Sequence, residues 1–238
     1  MKILSVGNSF SQDAQRYLKR LAEANENEIK CVNLYIGGCS MRSHYLNMTD
    51  DEKAYSFEFN GESTGVFVSA REALKSDFWD IVTIQQASHE SACFDNYVPY
   101  IDYVADYIRK YSPKSKIFIH QTWAYEEGSD RLRTTGFEST EAMLKAVAKA
   151  YNSAYERIEA DGIIPSGFAM YEYFKKNPQK VYRDTFHANL GTGRYLLALV
   201  WYKTVFGEMP NADINKFDIP VSKKEIAEIR KIVQNINT

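Results

Sequence analysis

The feature that most constrains this chain is an alternation: short runs of apolar, β-prone residues recur between longer segments whose apolar residues fall at helical spacing. That order is the signature of βαβ units built around a mainly parallel sheet. Five runs read as strands, over residues 2–6, 29–36, 81–85, 117–121 and 163–164. Between and after them the helical period predicts helices over 13–24, 71–78, 97–111, 139–160, 168–175, 192–205 and 223–235. In the long fourth one, Met143, Leu144, Val147, Ala150, Tyr151, Ala154 and Ile158 share a side. One stretch breaks the rhythm. Residues 55–68 place Asn60-Gly61 between alternating apolar residues, a β-hairpin signal, read as an insertion between the second and third strands.

The expected fold is therefore α/β, a three-layer sandwich on a five-stranded, mainly parallel sheet, in one domain over residues 1–238. A chain of 238 residues with 45% hydrophobic and 25% charged residues buries a large core, which excludes disordered and fibrous architectures. Lys plus Arg is 29 and Asp plus Glu is 31, for a net charge of −2. No overall field draws the chain to nucleic acid or to an anionic membrane, so a small neutral substrate is expected. Cys31, Cys39 and Cys93 form no C-x-x-C pair and have no histidine cluster at metal-ligand spacing, so neither a disulfide framework nor a zinc site is expected. The start, Met1 to Asn8, is too short an apolar run for a secretory signal, and the 195–202 run is far short of the ~20 residues that span a bilayer. A cytoplasmic location is the expectation; the oligomeric state is left open.

In a parallel sheet, ligands bind beyond the carboxyl ends of the strands. After the first strand comes Gly7-Asn8-Ser9-Phe10-Ser11. Ser9 at the start of a helix meets free N–H groups and a positive dipole, which suit an oxyanion. The competing reading has Ser9 merely capping that helix, with Gln12 completing an S-x-x-Q box. Far along the chain stands Asp184-Thr185-Phe186-His187, where an acid three residues before a histidine can meet Nδ1 and leave Nε2 free as a base. The order Ser, Asp, His is one of the known serine-hydrolase orders.

Together these segments resemble the blocks of the SGNH hydrolase superfamily, the GDSL-type esterases and lipases. G-D-S-x-S is matched by Gly7 to Ser11 with Asn8 for Asp, D-x-x-H by Asp184 to His187, and the second-block glycine by Gly37-Gly38-Cys39-Ser40. The set G-N-S-F-S, G-G-C-S, Q-Q-x-S and D-x-x-H looks most like a bacterial subfamily of that superfamily. The third block departs from the pattern: G-x-N-D is replaced by Gln85-Gln86-Ala87-Ser88. The resemblance implies a Ser9-His187-Asp184 triad that needs neither metal nor organic cofactor. It also implies an oxyanion hole from Ser9, Gly38 and the carboxamide of Gln85 or Gln86, since sugar acetylesterases of the superfamily carry a glutamine in this place.

Further candidates for substrate contact are Asn8, His44, His120 and Trp123. His120 either lines the cleft or is a satisfied interior histidine; His44 and His89 read as cleft or solvated-loop residues; Trp123 and Tyr125 as a sugar-stacking platform or as core. The expected activity is hydrolysis of short acyl esters, acetyl above all, on a carbohydrate. The alternatives are a non-catalytic carbohydrate-binding protein on the same fold, or a lipase or thioesterase.

Overall fold

The computed structural model describes residues 1–237. In chain order the elements are β1 (Lys2–Gly7), α1 (Ser9–Gln15), α2 (Leu18–Glu23), β2 (Lys30–Tyr35), α3 (Met41–Thr49), β3 (Tyr55–Phe59), β4 (Glu62–Val68), α4 (Ala70–Lys75), β5 (Ile81–Ile84) and α5 (Tyr100–Tyr111). There follow β6 (Lys116–His120), α6 (Asp130–Thr134), α7 (Thr140–Arg157), β7 (Gly162–Ile164), α8 (Ser166–Phe174), α9 (Thr192–Phe206) and α10 (Lys223–Gln234).

The strands form one sheet in the order β4-β3-β2-β1-β5-β6-β7. The five expected strands are all present and mutually parallel, with β1 paired to β2 on one side and β5 on the other. The sheet nevertheless has seven strands where five were expected. The 55–68 insertion is not a separate flap: β3 pairs antiparallel with β2, placing Tyr35 opposite Ser56, and extends that edge. Asn60 and Gly61 both take positive φ, 51° and 81°, as a two-residue type I′ hairpin turn requires.

Residues 3–7 of β1 and all of β5 are buried, and a strand buried on both faces needs cover on both faces. The helices supply it in two groups: α1, α2, α8 and α10 pack around α9, while α3 and α4 pack against α5. α9 is apolar all round, with Tyr195 to Tyr202 buried, as befits a helix enclosed by others.

Two helices differ from expectation in ways that matter below. The segment 13–24 is not one helix. α1 begins four residues earlier, at Ser9, and breaks before α2. α3 has no counterpart in the sequence reading, because its apolar periodicity is weak; Ser40 starts it by accepting the Ser43 N–H.

Candidate active site

The carboxyl ends of the parallel strands lie along one edge of the sheet, so the segments after β1, β2, β5 and β6 converge there. Asn8, not Ser9, is the N-cap of α1. Its Oδ1 accepts the Phe10 N–H at 3.0 Å, and Ser11 Oγ reciprocates by accepting the Asn8 N–H at 3.0 Å. Gln12 takes no part in this box; its carboxamide donates to Glu58. The capping reading of Ser9 is thus replaced by a cap one residue earlier, which leaves the Ser9 hydroxyl free. Gly7 makes the closure feasible, since a Cβ there would lie 1.9 Å from Ser11 Oγ.

The hydroxyl so released meets a histidine. Ser9 Oγ and His187 Nε2 are 2.9 Å apart, and His187 Nδ1 lies 2.8 Å from Asp184 Oδ2. Asp184 Oδ1 also accepts the His187 backbone N–H at 2.8 Å, so one carboxylate holds both ring and main chain. Partial burial acts to raise the Asp184 pKa, but the His187 side-chain and backbone hydrogen bonds outweigh it and hold the carboxyl below its ordinary value. Thr185, between them, has φ 59°, the left-handed region that a β-branched residue adopts only under constraint.

A buried ion network fixes this turn against α1. Asp13 is fully buried, one helical turn beyond Ser9. It takes hydrogen bonds from Arg183 Nη1 at 2.8 Å and Arg194 Nε at 2.9 Å, and from the Ala188 backbone N–H at 3.2 Å. The residues immediately before Asp184 and after His187 are therefore tied to one carboxylate on the helix that begins with Ser9.

A cleft of about 270 Å³ opens at the Ser9–His187 pair, lined by Asn8, Ser9, Phe10, Tyr35, Gly37, Gly38, Ser88, His89, Arg131, Phe186 and His187. Ser9 is the first residue of α1, where a backbone N–H has no intrahelical partner. Gly38 is exposed with φ 63°, a conformation suited to glycine, in the turn that follows β2. Ser9, Gly38 and Asn8 all line the cleft, and one Asn8 Nδ2 hydrogen goes to the Cys39 carbonyl at 3.2 Å.

The structure does not bring the two glutamines to the cleft. Gln85 is 1% exposed, donates to Asn8 Oδ1 at 2.6 Å and engages His120 Nδ1 through Oε1 at 2.5 Å, so it acts one step behind Asn8. Gln86 is fully buried; its Oε1 accepts the Met41 and Ala87 N–H groups and its Nε2 donates to the Asn96 carbonyl. Neither His44 nor His120 reaches the cleft. His44 is carried inward on α3, facing Tyr55 and Cys39, and His120 lies between Gln85 and Ser166. Burial pushes both imidazoles down to about 3, so both are neutral at ordinary pH.

Trp123 and Tyr125 form no open stacking platform, since both are fully buried. Trp123 stacks on Phe10 at 4.1 Å and donates to the Phe186 carbonyl at 2.7 Å, and Tyr125 shares a hydrogen bond with Ser88. The cleft-facing rings are instead Tyr35 and Phe186. Sequence reasoning missed these two, Asp13 and Arg131. Asp13 had a signal in its four-residue spacing from Ser9; Arg131 lies on the short helix α6, in a polar stretch where no element was expected, and had none.

Among the described residues no group of three His, Cys, Asp or Glu side chains is placed to hold a metal ion, and no helix is long and apolar enough to cross a membrane. The three cysteines are free, Cys31 and Cys39 buried and Cys93 exposed.

A family model described as "Domain of unknown function (DUF4886)" matches residues 2–233. The chain belongs to the DUF4886 family. A solved DUF4886 protein from Bacteroides uniformis is 28% identical, with a TM-score of 0.89 over 99% of this chain and 93% of that one. An SGNH hydrolase candidate from Slackia heliotrinireducens is 24% identical, at TM-score 0.62 over 86% and 98%. A psychrotrophic esterase from Pseudoalteromonas sp. is 12% identical, at TM-score 0.56 over 87% and 97%. No curated protein matches. This DUF4886 chain thus has the SGNH hydrolase fold, as its sequence blocks suggested.

Proposed function

We propose that this DUF4886 protein is a serine esterase acting on short acyl esters. The observation that carries the reading is the unbroken hydrogen-bonded series from Ser9 Oγ through His187 to Asp184, with the hydroxyl at the floor of a cleft. In the reaction, Ser9 Oγ attacks the ester carbonyl carbon while His187 Nε2 takes its proton. The oxyanion is met by the Ser9 and Gly38 N–H groups. Collapse of the tetrahedral intermediate breaks the bond to the alcohol, which leaves with the proton from His187. Water, deprotonated by His187, then attacks the acyl-Ser9 ester, and collapse of that second tetrahedral intermediate releases the acid as His187 returns the proton to Ser9 Oγ. Asp184 holds the imidazole in the required tautomer and stabilises its charged form.

A cleft of about 270 Å³ suits an acetyl group and part of a sugar ring better than a long acyl chain, and its rims carry polar and aromatic groups. We read the alcohol as a carbohydrate hydroxyl. The non-catalytic alternative draws on the commitment of both third-block glutamines away from the cleft, which removes one expected oxyanion donor. Fluorophosphonate labelling decides between them: an activated hydroxyl labels at Ser9 and loses label in His187→Ala. Absence of label on folded protein favours the binding protein. A series from acetyl to octanoyl esters should then show kcat/KM falling with length; a rise points to a lipase or thioesterase.

A further inference from the structure

We infer that the ester substrate carries an oxyanion, a carboxylate or sulfate close to the acylated hydroxyl, and that Arg131 is the residue that selects it; the inference rests on the esterase reading of the same cleft. Of the eleven residues lining the cleft, none is Asp or Glu, and Arg131 bears the one permanent charge. Asp184 stands behind His187 and is committed to it.

The guanidinium is exposed and rests against aromatic rings in place of an acid. Its carbon lies 3.9 Å from the centroid of Phe186 and 5.8 Å from that of Tyr125. The neighbouring acid, Asp130, pairs with Arg133. Stacking on Phe186 occupies one face of the group and the Tyr125 hydroxyl engages part of its edge, leaving its other N–H groups to face a planar oxyanion. Phe186 also lies 3.8 Å, centroid to centroid, from the His187 ring, so one aromatic ring separates the cation from the general base. The Phe186 carbonyl is held by buried Trp123, and its backbone is part of the turn that holds the triad. The cation and the reacting hydroxyl thus line one cleft of about 270 Å³. A substrate that reaches both has its ester and its charge on one sugar unit or on adjacent units.

The test compares acetylated glucuronic acid, an acetylated glucose 6-sulfate and acetylated glucose as substrates for the wild type, Arg131→Gln and Arg131→Lys. A charge-assisted hydrogen bond of ~1.5 to 3 kcal/mol corresponds to a preference of about tenfold or more in kcat/KM for a charged sugar. That ratio should collapse in Arg131→Gln, survive in part in Arg131→Lys, and shrink as salt is raised. The charged sugar that shows the larger ratio identifies the oxyanion. Equal turnover of charged and neutral sugars by wild type, or a ratio unchanged in Arg131→Gln, overturns the assignment while leaving the esterase reading standing. If no ester is turned over in a Ser9-dependent way, both fall together.

Discussion

A serine at a helix start ordinarily spends its hydroxyl on the backbone, and here Asn8 and Ser11 take over that task, so Ser9 Oγ points to His187. In the proposed mechanism nucleophile and base act as one unit, so Ser9→Ala and His187→Ala should each lower kcat by roughly 10³ or more, and the double variant should be scarcely worse than either. Near-normal activity of purified Ser9→Ala would remove Ser9 from the mechanism. Gln85 and Gln86 should behave differently from direct oxyanion donors, whose loss costs ~10² to 10³ in kcat. Gln85 acts through Asn8, so Gln85→Ala should cost about tenfold, in the manner of a supporting contact. Gln86→Ala strands the Met41 and Ala87 N–H groups and should show in the urea midpoint, by ~1 to 3 kcal/mol, more than in kcat. A loss of ~10² in kcat for either one, with KM unmoved, would restore it to the oxyanion hole.

At the scale of elements, the decisive contact is between α1 and the turn that carries Asp184 and His187. Asp13 is the anchor, and removing its charge leaves the partly buried Arg183 without its acid and Arg194 with only the 3.6 Å contact to Asp218. Asp13→Asn should cost about 3 kcal/mol of stability. It should also shift the downfield proton resonance of the His187 imidazole, because the turn loses its tie to α1; an unaltered resonance would confine Asp13 to a purely structural role. The same turn stores strain at Thr185, whose φ of 59° costs an ordinary side chain roughly 1 to 2 kcal/mol. Thr185→Asn, a residue more tolerant of that region, should raise the urea midpoint; a lower midpoint would mean that the threonine side chain makes compensating contacts.

For the molecule as a whole, the two interior histidines make stability depend on pH. Each has an ordinary value of 6.5 and is pushed down to about 3 by burial, so the unfolded chain takes up protons that the folded chain refuses. Their contribution is complete above about pH 6.5 and is lost as pH falls toward 3, at about 1.4 kcal/mol per pH unit for each histidine over that interval. Urea midpoints should therefore fall between pH 7 and pH 5, and His120→Gln should flatten the dependence. A midpoint that stays constant over that range in the wild type would mean that one or both imidazoles are charged in the fold.

What the sequence determined by itself was whatever depends on local period and on short motifs. Alternating apolar runs dictate parallel strands because each run must bury both faces, and Asn60-Gly61 dictates a hairpin because both residues accept positive φ. The proximity of Ser9, Asp184 and His187 was legible only as a resemblance between blocks, since nothing in local spacing joins residues 178 positions apart. Tertiary structure decided where the hairpin docks, because an unpaired β2 edge satisfies its N–H and C=O groups only by recruiting β3. It also decided the roles of the glutamines, the interior histidines and Trp123. Each belongs to a residue type and position compatible with a cleft or a core, and the choice depends on which neighbouring segment supplies its hydrogen-bond partner and excludes water. For Gln85 and His120 that partner is the other member of the pair, one strand away. For Asp13 it is two arginines from the far end of the chain, brought there by the packing of α9 on α1.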